Sequence, residues 1–363
     1  MSHYEQRLQE DVERIRGELG RIAEDVAEGL EAAVRSLLEG DRALAARVVL
    51  GDLPVNRAIR RLDAECHAFV ARHLPSAGHL RFVSAVLRLS VSVERVGDYA
   101  VTLGRETAQL EGPPPESIAR EIDAASERVI QNFRHAIQAF VSSDSELARA
   151  TNQAAKSDET SGVRLFRELV EAAEVDSSPV ADHFALLVIL NRLSRVNSQA
   201  KNICEQTIFA VSGETKAPKT YRILFVDEKD NAYTQLAKAY CARAYPESAL
   251  YASAGWDAAK ALELRSKMFL EAHGYDTALA PLQLEELSPG GLEGFDVIVA
   301  LSPRAFDHIQ PLPFRTTLIE WDLGERPDTF DQDRAEALLR QAHEELIVQA
   351  RSLLETLRGE GAR

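Results

Sequence analysis

The sequence predicts a multidomain protein in which two tandem all-α three-helix bundles precede an α/β domain with a doubly wound parallel sheet. The first observation is a long series of apolar residues at steps of three and four, starting with Leu8 and Val12, which is the period of an amphipathic helix. The second is an internal duplication of the helical part. The third is a change after residue 216 to compact apolar runs that alternate with helical patterns, which is typical of α/β domains.

The first bundle, assigned to residues 1–110, is predicted from three helices with short connections. The apolar series that starts near Tyr4 predicts one long helix, which Gly40-Asp41 interrupts. A second helix is expected from about Asp41 to Ala71. The turn 73–78 contains Pro75 and Gly78 and separates it from the third helix.

The second bundle, assigned to residues 111–216, follows a stretch that cannot continue a helix. Pro113, Pro114 and Pro115 form a stiff linker. Beyond it the pattern starts again, because 193–200 echoes 93–100 and 143–148 echoes 40–45. Such self-similarity indicates a duplicated structural unit.

Charge and composition exclude several classes of protein. The formal charge of −15 makes nonspecific binding to nucleic acid or to an anionic membrane unfavourable. Cys66, Cys204 and Cys241 lie far apart and are expected to be buried hydrophobic residues. The first ten residues are polar, and the longest uncharged apolar run, 183–190, is too short to cross a bilayer. The protein is therefore expected in the cytoplasm and not as an integral membrane protein.

The third predicted helix carries two carboxylates one turn apart, Glu94 and Asp98. They share a face away from the apolar stripe. Like charges at this spacing repel unless a cation lies between them. Gly97 lies in the same turn, where glycine costs about 1 kcal/mol relative to alanine. On spacing alone, a solvated helix surface with local ion pairs is the commoner structure. Whether the two carboxylates bind a cation therefore has to be judged from the surrounding sequence.

That surrounding sequence resembles the PhoU family of phosphate-signalling regulators. The match consists of Leu80-Arg81, the run Val93-Glu94-Arg95-Val96-Gly97-Asp98-Tyr99-Ala100, and upstream the segments Gly40–Ala45 and Asp52–Asn56. The resemblance implies antiparallel three-helix bundles in which acid-x-x-x-acid pairs hold a metal cluster. It also implies negative control of phosphate uptake through a Pst-type phosphate transporter and a phosphate-sensing histidine kinase. Peripheral location at the inner membrane through these partners, and a homodimer, stay open.

The resemblance also adds a second pair of ligand candidates in the first repeat, Asp52 and Asn56. If the second and third helices pack antiparallel, this pair approaches Glu94 and Asp98 and supplies about four oxygen ligands. Such hard ligands suit Mg, Ca, Mn or Fe better than Zn. The expected cofactor is therefore a divalent or iron-type metal. Asp63 and Glu106 are weaker candidate ligands, because acids at such positions are more often ordinary surface residues.

In the second repeat most of these ligands are missing. Ser194 and Ser198 replace Glu94 and Asp98, and the earlier pair is at best half kept, as Asp158 with Gly162. Because neutral hydroxyls are weak ligands for a hard cation, at most one metal site is expected, in the first repeat.

Residues 217–363 resemble the low-molecular-weight protein tyrosine phosphatase and arsenate reductase family. The matching pieces, in order, are Ile223–Val226, Ser253–Gly255, His273–Asp276, Phe295–Val299 and Ile319–Leu323. The family's phosphate loop has a cysteine nucleophile and, after five residues, a phosphate-binding arginine. This chain has Asp227 and Tyr233 at those positions, with Glu228 and Asp230 between them. A carboxylate cannot replace the thiolate, and no guanidinium clamps the phosphate, so no catalytic residue and no activity are predicted.

Two alternatives remain open. Asp227, Glu228 and Asp230 would suit Mg²⁺ binding in a receiver-like domain or in an enzyme of phosphoryl chemistry. Against a receiver domain, the strand that ends at Leu301 is followed by Ser302-Pro303 rather than by an acceptor aspartate. The other alternative is a structural adaptor without metal, whose bundles serve as docking surfaces.

Overall fold

The computed structural model describes residues 3–158, 179–215, 219–276, 280–287, 291–313, 315–325 and 332–359. The chain forms two compact units, Met1–Lys216 and Ala217–Arg363. The described part of the first unit is helical. Its helices are α1 (His3–Glu39), α2 (Arg42–His73), α3 (Ala77–Gln109), α4 (Glu116–Val141), α5 (145–158, as far as it is described) and α6 (Val180–Ser212).

The apolar stripes of these helices form one core. Helices α1, α2 and α3 pack against one another, α4 packs against α6, and the two sets meet through α3 on α6 and α1 on α4. Leu30 of α1 and Phe133 of α4 are completely buried, as are Leu89 of α3 and Ile189 of α6. Buried positions of α1 recur in α4 103 residues later, and those of α3 recur in α6 100 residues later, so the duplicated sequence has a duplicated packing pattern.

Local caps explain where the helices of each repeat begin. Gly40, at φ 66°, takes the left-handed conformation that ends α1. The Asp41 carboxylate then accepts hydrogen bonds from the backbone N–H groups of Ala43 and Leu44, both at 2.9 Å. In the second repeat Asp144 caps α5 in the same way.

The second unit contains a four-stranded parallel sheet in the order β2-β1-β3-β4. Its strands are β1 (Tyr221–Asp227), β2 (Ala249–Gly255), β3 (Val297–Ala300) and β4 (Thr317–Glu320). Its helices are α7 (Tyr233–Ala244), α8 (Leu264–Ala272), α9 (Ala305–His308) and α10 (Gln332–Arg358), with 3-10 turns at Leu284–Glu286 and Gly291–Gly294. Phe225 faces one buried cluster and Leu224 another, so both faces of the sheet are covered. The predicted fold class is confirmed.

One element differs from its prediction. The sequence pattern of the α/β part predicts a helix near Lys260 to His273, whereas helix α8 begins at Leu264. The backbone N–H groups of Ala259 and Glu263 instead donate to the Lys229 carbonyl and to Asn231 Oδ1, in the loop after β1. These tertiary hydrogen bonds hold the segment before α8 outside the helix.

Candidate functional site

The predicted acidic residues of the first repeat lie on two antiparallel helices, α2 and α3. Asn56 Nδ2 donates to Asp52 Oδ2 at 2.6 Å, across one turn of α2. Asp52 faces Gly97 of α3, since a Cβ atom on that glycine would lie 3.5 Å from Asp52 Oδ1. Glu94 lies one turn before Asp98 on α3 and is half-buried. The expected approach of the two helices is therefore present at Asp52.

The negative charge of Asp52 affects the ionisation of Asp98. Partial desolvation raises the pKa of the Asp98 carboxyl above its usual value, and the negative charge of Asp52 raises it further, while Arg105 lowers it. Asp52 Oδ1 and Asn56 Oδ1 are both buried and accept no hydrogen bond. Two bare acceptors beside a second carboxylate attract a positively charged group.

The side chains do not form a complete metal cage. Among the described residues, no three His, Cys, Asp or Glu side chains lie close enough together to hold a metal ion. The weaker candidate Asp63 accepts a hydrogen bond from the Ser90 hydroxyl at 2.9 Å, so it joins α2 to α3. The bare oxygens of Asp52 and Asn56 fit a cation, and additional ligands would have to come from water or from a movement of side chains.

Beside Asp52 lies an open groove, which sequence reasoning missed. It has a volume of about 280 Å³ and lies between α1, α2 and α3. Its polar residues include Asp25, Glu28, Arg47 and Asp52, and its apolar wall includes Val26, Val48 and Val101. Gly29 and Gly97 also line it, and a Cβ atom on Gly29 would meet no atom within 4 Å. These two glycines inside long helices are the signal that was available in the sequence.

The second repeat is filled at the corresponding place. Asn132 of α4 donates to Asp158 Oδ2 at 2.8 Å and to Asn197 Oδ1 at 3.1 Å. Asn197 in turn donates to the carbonyl of Ala155, and Arg128 pairs with Asp158 at 3.4 Å. The other half of the predicted pair, Gly162, lies outside the described residues. Among the described side chains of this repeat, Asn132 and Arg128 thus supply the partners of the Asp158 carboxylate.

The loop after β1 is the candidate site of the second unit. It follows one of the two central strands, at the edge of the sheet where the carboxyl ends of all four strands meet and where α/β proteins bind ligands. The backbone N–H of Asp230 donates to Asp227 Oδ1 at 2.6 Å. Gly255 lies against the loop so closely that its Cβ atom would be 2.6 Å from the carbonyl oxygen of Glu228. The Asp227 carboxylate therefore occupies an N–H group of the loop, and the backbone of β2 packs directly against the loop.

Asp230 is a buried acid within this loop. Its Oδ2 accepts the backbone N–H of Leu282 at 2.8 Å. Burial raises the pKa of Asp230 to about 6, and the charge of Asp227 raises it as well. The N–H of Leu282 and the hydroxyls of Ser253 and Thr234 act in the opposite direction. Burial is the largest of these effects, so the carboxylate form is unfavourable here.

Glu228 and Tyr233 complete the predicted set in this loop. Glu228 lies within 3.8 Å of Lys229, which also pairs with Asp257. Tyr233, at the start of α7, is buried, and its hydroxyl donates to the carbonyl of Glu325. The position where the resemblance requires a phosphate-binding arginine thus holds a side chain that anchors the segment after β4.

Fold and sites together define a class: a tandem three-helix-bundle protein with an acidic site in its first repeat, followed by a parallel α/β unit. A family model described as "PhoU domain" matches residues 19–107. The phosphate-specific transport system accessory protein PhoU homolog of Pseudomonas putida is 30% identical over 213 residues, which are 58% of this chain and 83% of that protein. The chain belongs to the PhoU family.

Solved structures match each unit. The crystal structure of PhoU from Pseudomonas aeruginosa is 28% identical, has a TM-score of 0.54, and the match covers 57% of this chain and 99% of that chain. The C-terminal unit has structural neighbours with phosphatase and arsenate reductase folds. One is the YwlE arginine phosphatase from Geobacillus stearothermophilus, at 20% identity and a TM-score of 0.33, over 39% of this chain and 98% of that one. No helix in the described ranges is long and apolar enough to cross a membrane.

Proposed function

We propose that this protein regulates phosphate transport and phosphate-responsive signalling by binding to other proteins, without catalysis. The names of its relatives describe accessory proteins of phosphate-specific transport systems, which supports a role in phosphate transport. The observation that carries the proposal is the acidic site of the first repeat, where Asp52 and Asn56 keep bare buried oxygens beside an open groove. The proposed partners are a Pst-type phosphate transporter and a phosphate-sensing histidine kinase.

Complementation tests this function. The chain is produced in a bacterium that lacks its own PhoU protein, and the uptake of labelled phosphate is measured at high external phosphate. We expect uptake to fall to the rate of the parent strain, because a negative regulator has been restored. If uptake stays at the rate of the deletion strain although the chain is present and folded, the proposal is wrong.

The metal of the first repeat stays a prediction, with Glu94, Asp98, Asp52 and Asn56 as the residues that would hold it. A bound divalent or iron-type ion would neutralise these acids and occupy the bare oxygens. Elemental analysis of protein purified without chelator is expected to give about one metal ion per chain, since one carboxylate-rich site is present. Glu94→Ala/Asp98→Ala is expected to contain none. No metal in either protein would favour the metal-free adaptor.

For the C-terminal unit we propose a structural or binding role without turnover. The loop that would hold a phosphate has its Asp230 N–H bonded to Asp227, and its carbonyls at Glu228 and Lys229 bonded to neighbouring backbone. A phosphomonoesterase assay with Mg²⁺ is therefore expected to give the same background rate for the wild type and for Asp227→Ala. Turnover in the wild type that Asp227→Ala abolishes would establish the Mg-dependent enzyme instead.

A further inference from the structure

Helix α2, which the structure describes in full, has no acidic residue on its exposed face. The exposed residues are arginine, alanine, leucine, glycine, proline and histidine. The three acids of this helix are half-buried against its neighbours: Asp52 faces α3, Asp63 accepts a hydrogen bond from α3, and Glu65 pairs with α1. The chain has 57 acidic and 42 basic residues, so the charge of this face is opposite in sign to that of the whole chain.

Two large apolar side chains lie in the middle of this face. The exposed fractions of Leu50 and Leu53 are 68% and 63%, so most of each side chain is in contact with solvent. Arginines precede and follow them at helical spacing. We call this surface the α2 stripe; it consists of Arg47, Leu50, Leu53, Arg57, Arg60 and Arg61. An apolar centre surrounded by arginines is typical of surfaces that bind other proteins.

The second repeat shows that the bundle does not require these leucines. Helices α2 and α5 correspond at a spacing of 103 residues, since their capping aspartates and their first completely buried alanines lie that far apart. Gln153 and Lys156 of α5 stand in the places of Leu50 and Leu53, and both are exposed. Because polar residues are sufficient at these positions of the fold, the leucines indicate a contact outside the bundle.

The arginines of the α2 stripe are available to a ligand. Arg57, Arg60 and Arg61 are exposed and form no ion pair with another described residue. By contrast, Arg72 at the end of the same helix pairs with Asp11 at 2.6 Å. A guanidinium binds a carboxylate through two parallel hydrogen bonds. The stripe therefore favours a ligand that carries carboxylates beside an apolar surface.

We propose that the α2 stripe binds an acidic amphipathic helix of a partner protein. The proposal rests on the proposed function as a regulator that acts by binding proteins. Large apolar side chains of the partner helix pack on Leu50 and Leu53, while its carboxylates pair with the arginines that follow. The stripe runs along about three turns of α2, a length that a second helix can follow.

A phosphate-rich surface fits the α2 stripe less well than an acidic protein segment does. The formal charge of −15 repels a membrane or a nucleic acid, because these present many negative charges to the whole chain. A single helix contacts only the stripe. Two leucines also provide little apolar area for insertion into a bilayer.

Binding of a designed acidic helix to the full chain tests the proposal. The probe is acetyl-Glu-Leu-Glu-Glu-Leu-Leu-Glu-Glu-Leu-Leu-Glu-Glu-Leu-Glu-amide, which has its leucines on one helix face. The control peptide has the same composition, with the leucines spread around the helix. We expect NMR shifts to place the probe at the α2 stripe, and the control to bind about tenfold more weakly, because only the probe covers both leucines. No binding of the probe, or equal binding of both peptides, would overturn the proposal.

Leu50→Gln/Leu53→Lys gives the α2 stripe the residues of the second repeat. We expect this variant to bind the probe about tenfold more weakly, although the new lysine adds a positive charge, because the apolar contact is lost. Its midpoint of thermal unfolding is expected to equal that of the wild type, since both leucines are exposed. Val180→Lys, at a position of α6 that is 86% exposed, is the matched control and is expected to bind normally. Normal binding by the leucine variant would contradict the proposed contact.

Arg60→Gln/Arg61→Gln removes two charges from the α2 stripe, and about tenfold weaker binding of the probe is expected. Arg21→Gln/Arg120→Gln removes two exposed arginines from α1 and α4 and is expected to bind as the wild type does. Equal effects of the two double variants would show that only the net charge matters. If phosphatidylglycerol vesicles bind the wild type but not Arg60→Gln/Arg61→Gln, the stripe belongs to a membrane contact and the proposal is wrong.

The uptake assay separates this inference from the proposed function. If the wild type restores regulation, Leu50→Gln/Leu53→Lys is expected to abolish it, because the partner helix loses its apolar contact, while Val180→Lys keeps it. Full regulation by the leucine variant would overturn the inference and leave the proposed function standing. A wild type that fails to regulate phosphate uptake but still binds the probe at the α2 stripe would overturn the proposed function alone.

Discussion

Replacing Gly255 with alanine is expected to lower the free energy of unfolding of the C-terminal unit by about 3 kcal/mol. The new Cβ atom would lie 2.6 Å from the Glu228 carbonyl oxygen and 2.8 Å from the Asp230 nitrogen. Both are backbone atoms, held in turn by hydrogen bonds from Asp257 and to Asp227, so they cannot rotate away as a side chain would. The whole loop would have to move.

Tryptophan fluorescence in a denaturant titration isolates this effect, because both tryptophans, Trp256 and Trp321, lie in the C-terminal unit. Gly17→Ala is the control for the same chemical change. Gly17 lies inside α1 with no atom within 4 Å of its Cβ position, so alanine is expected to stabilise the first unit by about 0.5–1 kcal/mol and to leave the tryptophan transition of the C-terminal unit unchanged. A Gly255→Ala transition that coincides with the wild type would show that the loop is not closely packed on β2.

Asp230→Asn is expected to stabilise the C-terminal unit at pH 7 to 8 by up to about 3 kcal/mol, and to have little effect near pH 4. The pKa of Asp230 is raised from 3.8 to about 6 by burial. Between these values the folded state binds more protons than the unfolded state, so the stability of the wild type falls as the pH rises and is constant above the folded pKa. Asparagine does not ionise, and its carbonyl oxygen still accepts the N–H of Leu282.

The same fluorescence titration, repeated from pH 4 to pH 8, measures this difference. Ser302→Ala serves as the matched control, since Ser302 follows β3 at the same edge of the sheet and does not titrate. Its difference from the wild type is expected to be independent of pH. If Asp230→Asn were less stable than the wild type at every pH, the charged carboxylate would itself be required by the loop.

Most of the secondary structure could be predicted because its signals are local. Asp41 caps α2 through N–H groups two and three residues away, and the duplicate cap at Asp144 follows the same rule. The strand over Tyr221–Asp227 is a compact apolar run, and the structure places it at the centre of the sheet. The start of α8 could not be predicted, because hydrogen bonds to the distant loop after β1 decide it.

Part of the candidate site was also predictable from the sequence. The spacing of four between Asp52 and Asn56 and between Glu94 and Asp98 follows from the helical period, and antiparallel packing of α2 and α3 brings Asp52 to Gly97. Asp25 gave no such signal, since a single acid on an exposed helix face is ordinary. Asp25 lines the groove only because α2 and α3 pack beside it.

The sequence by itself therefore determined the two repeats and the change to an α/β unit. It also determined that the second repeat lacks the acid pair of the first, and that the loop after β1 lacks the cysteine and the arginine of the phosphatase family. Each of these conclusions depends only on residue type and on neighbours along the chain. Only the tertiary structure decided that the first repeat keeps an open groove while Arg128 and Asn197 close the second. Charge, volume and hydrogen bonding at that place come from three separate helices. Their balance is fixed only when the helices pack.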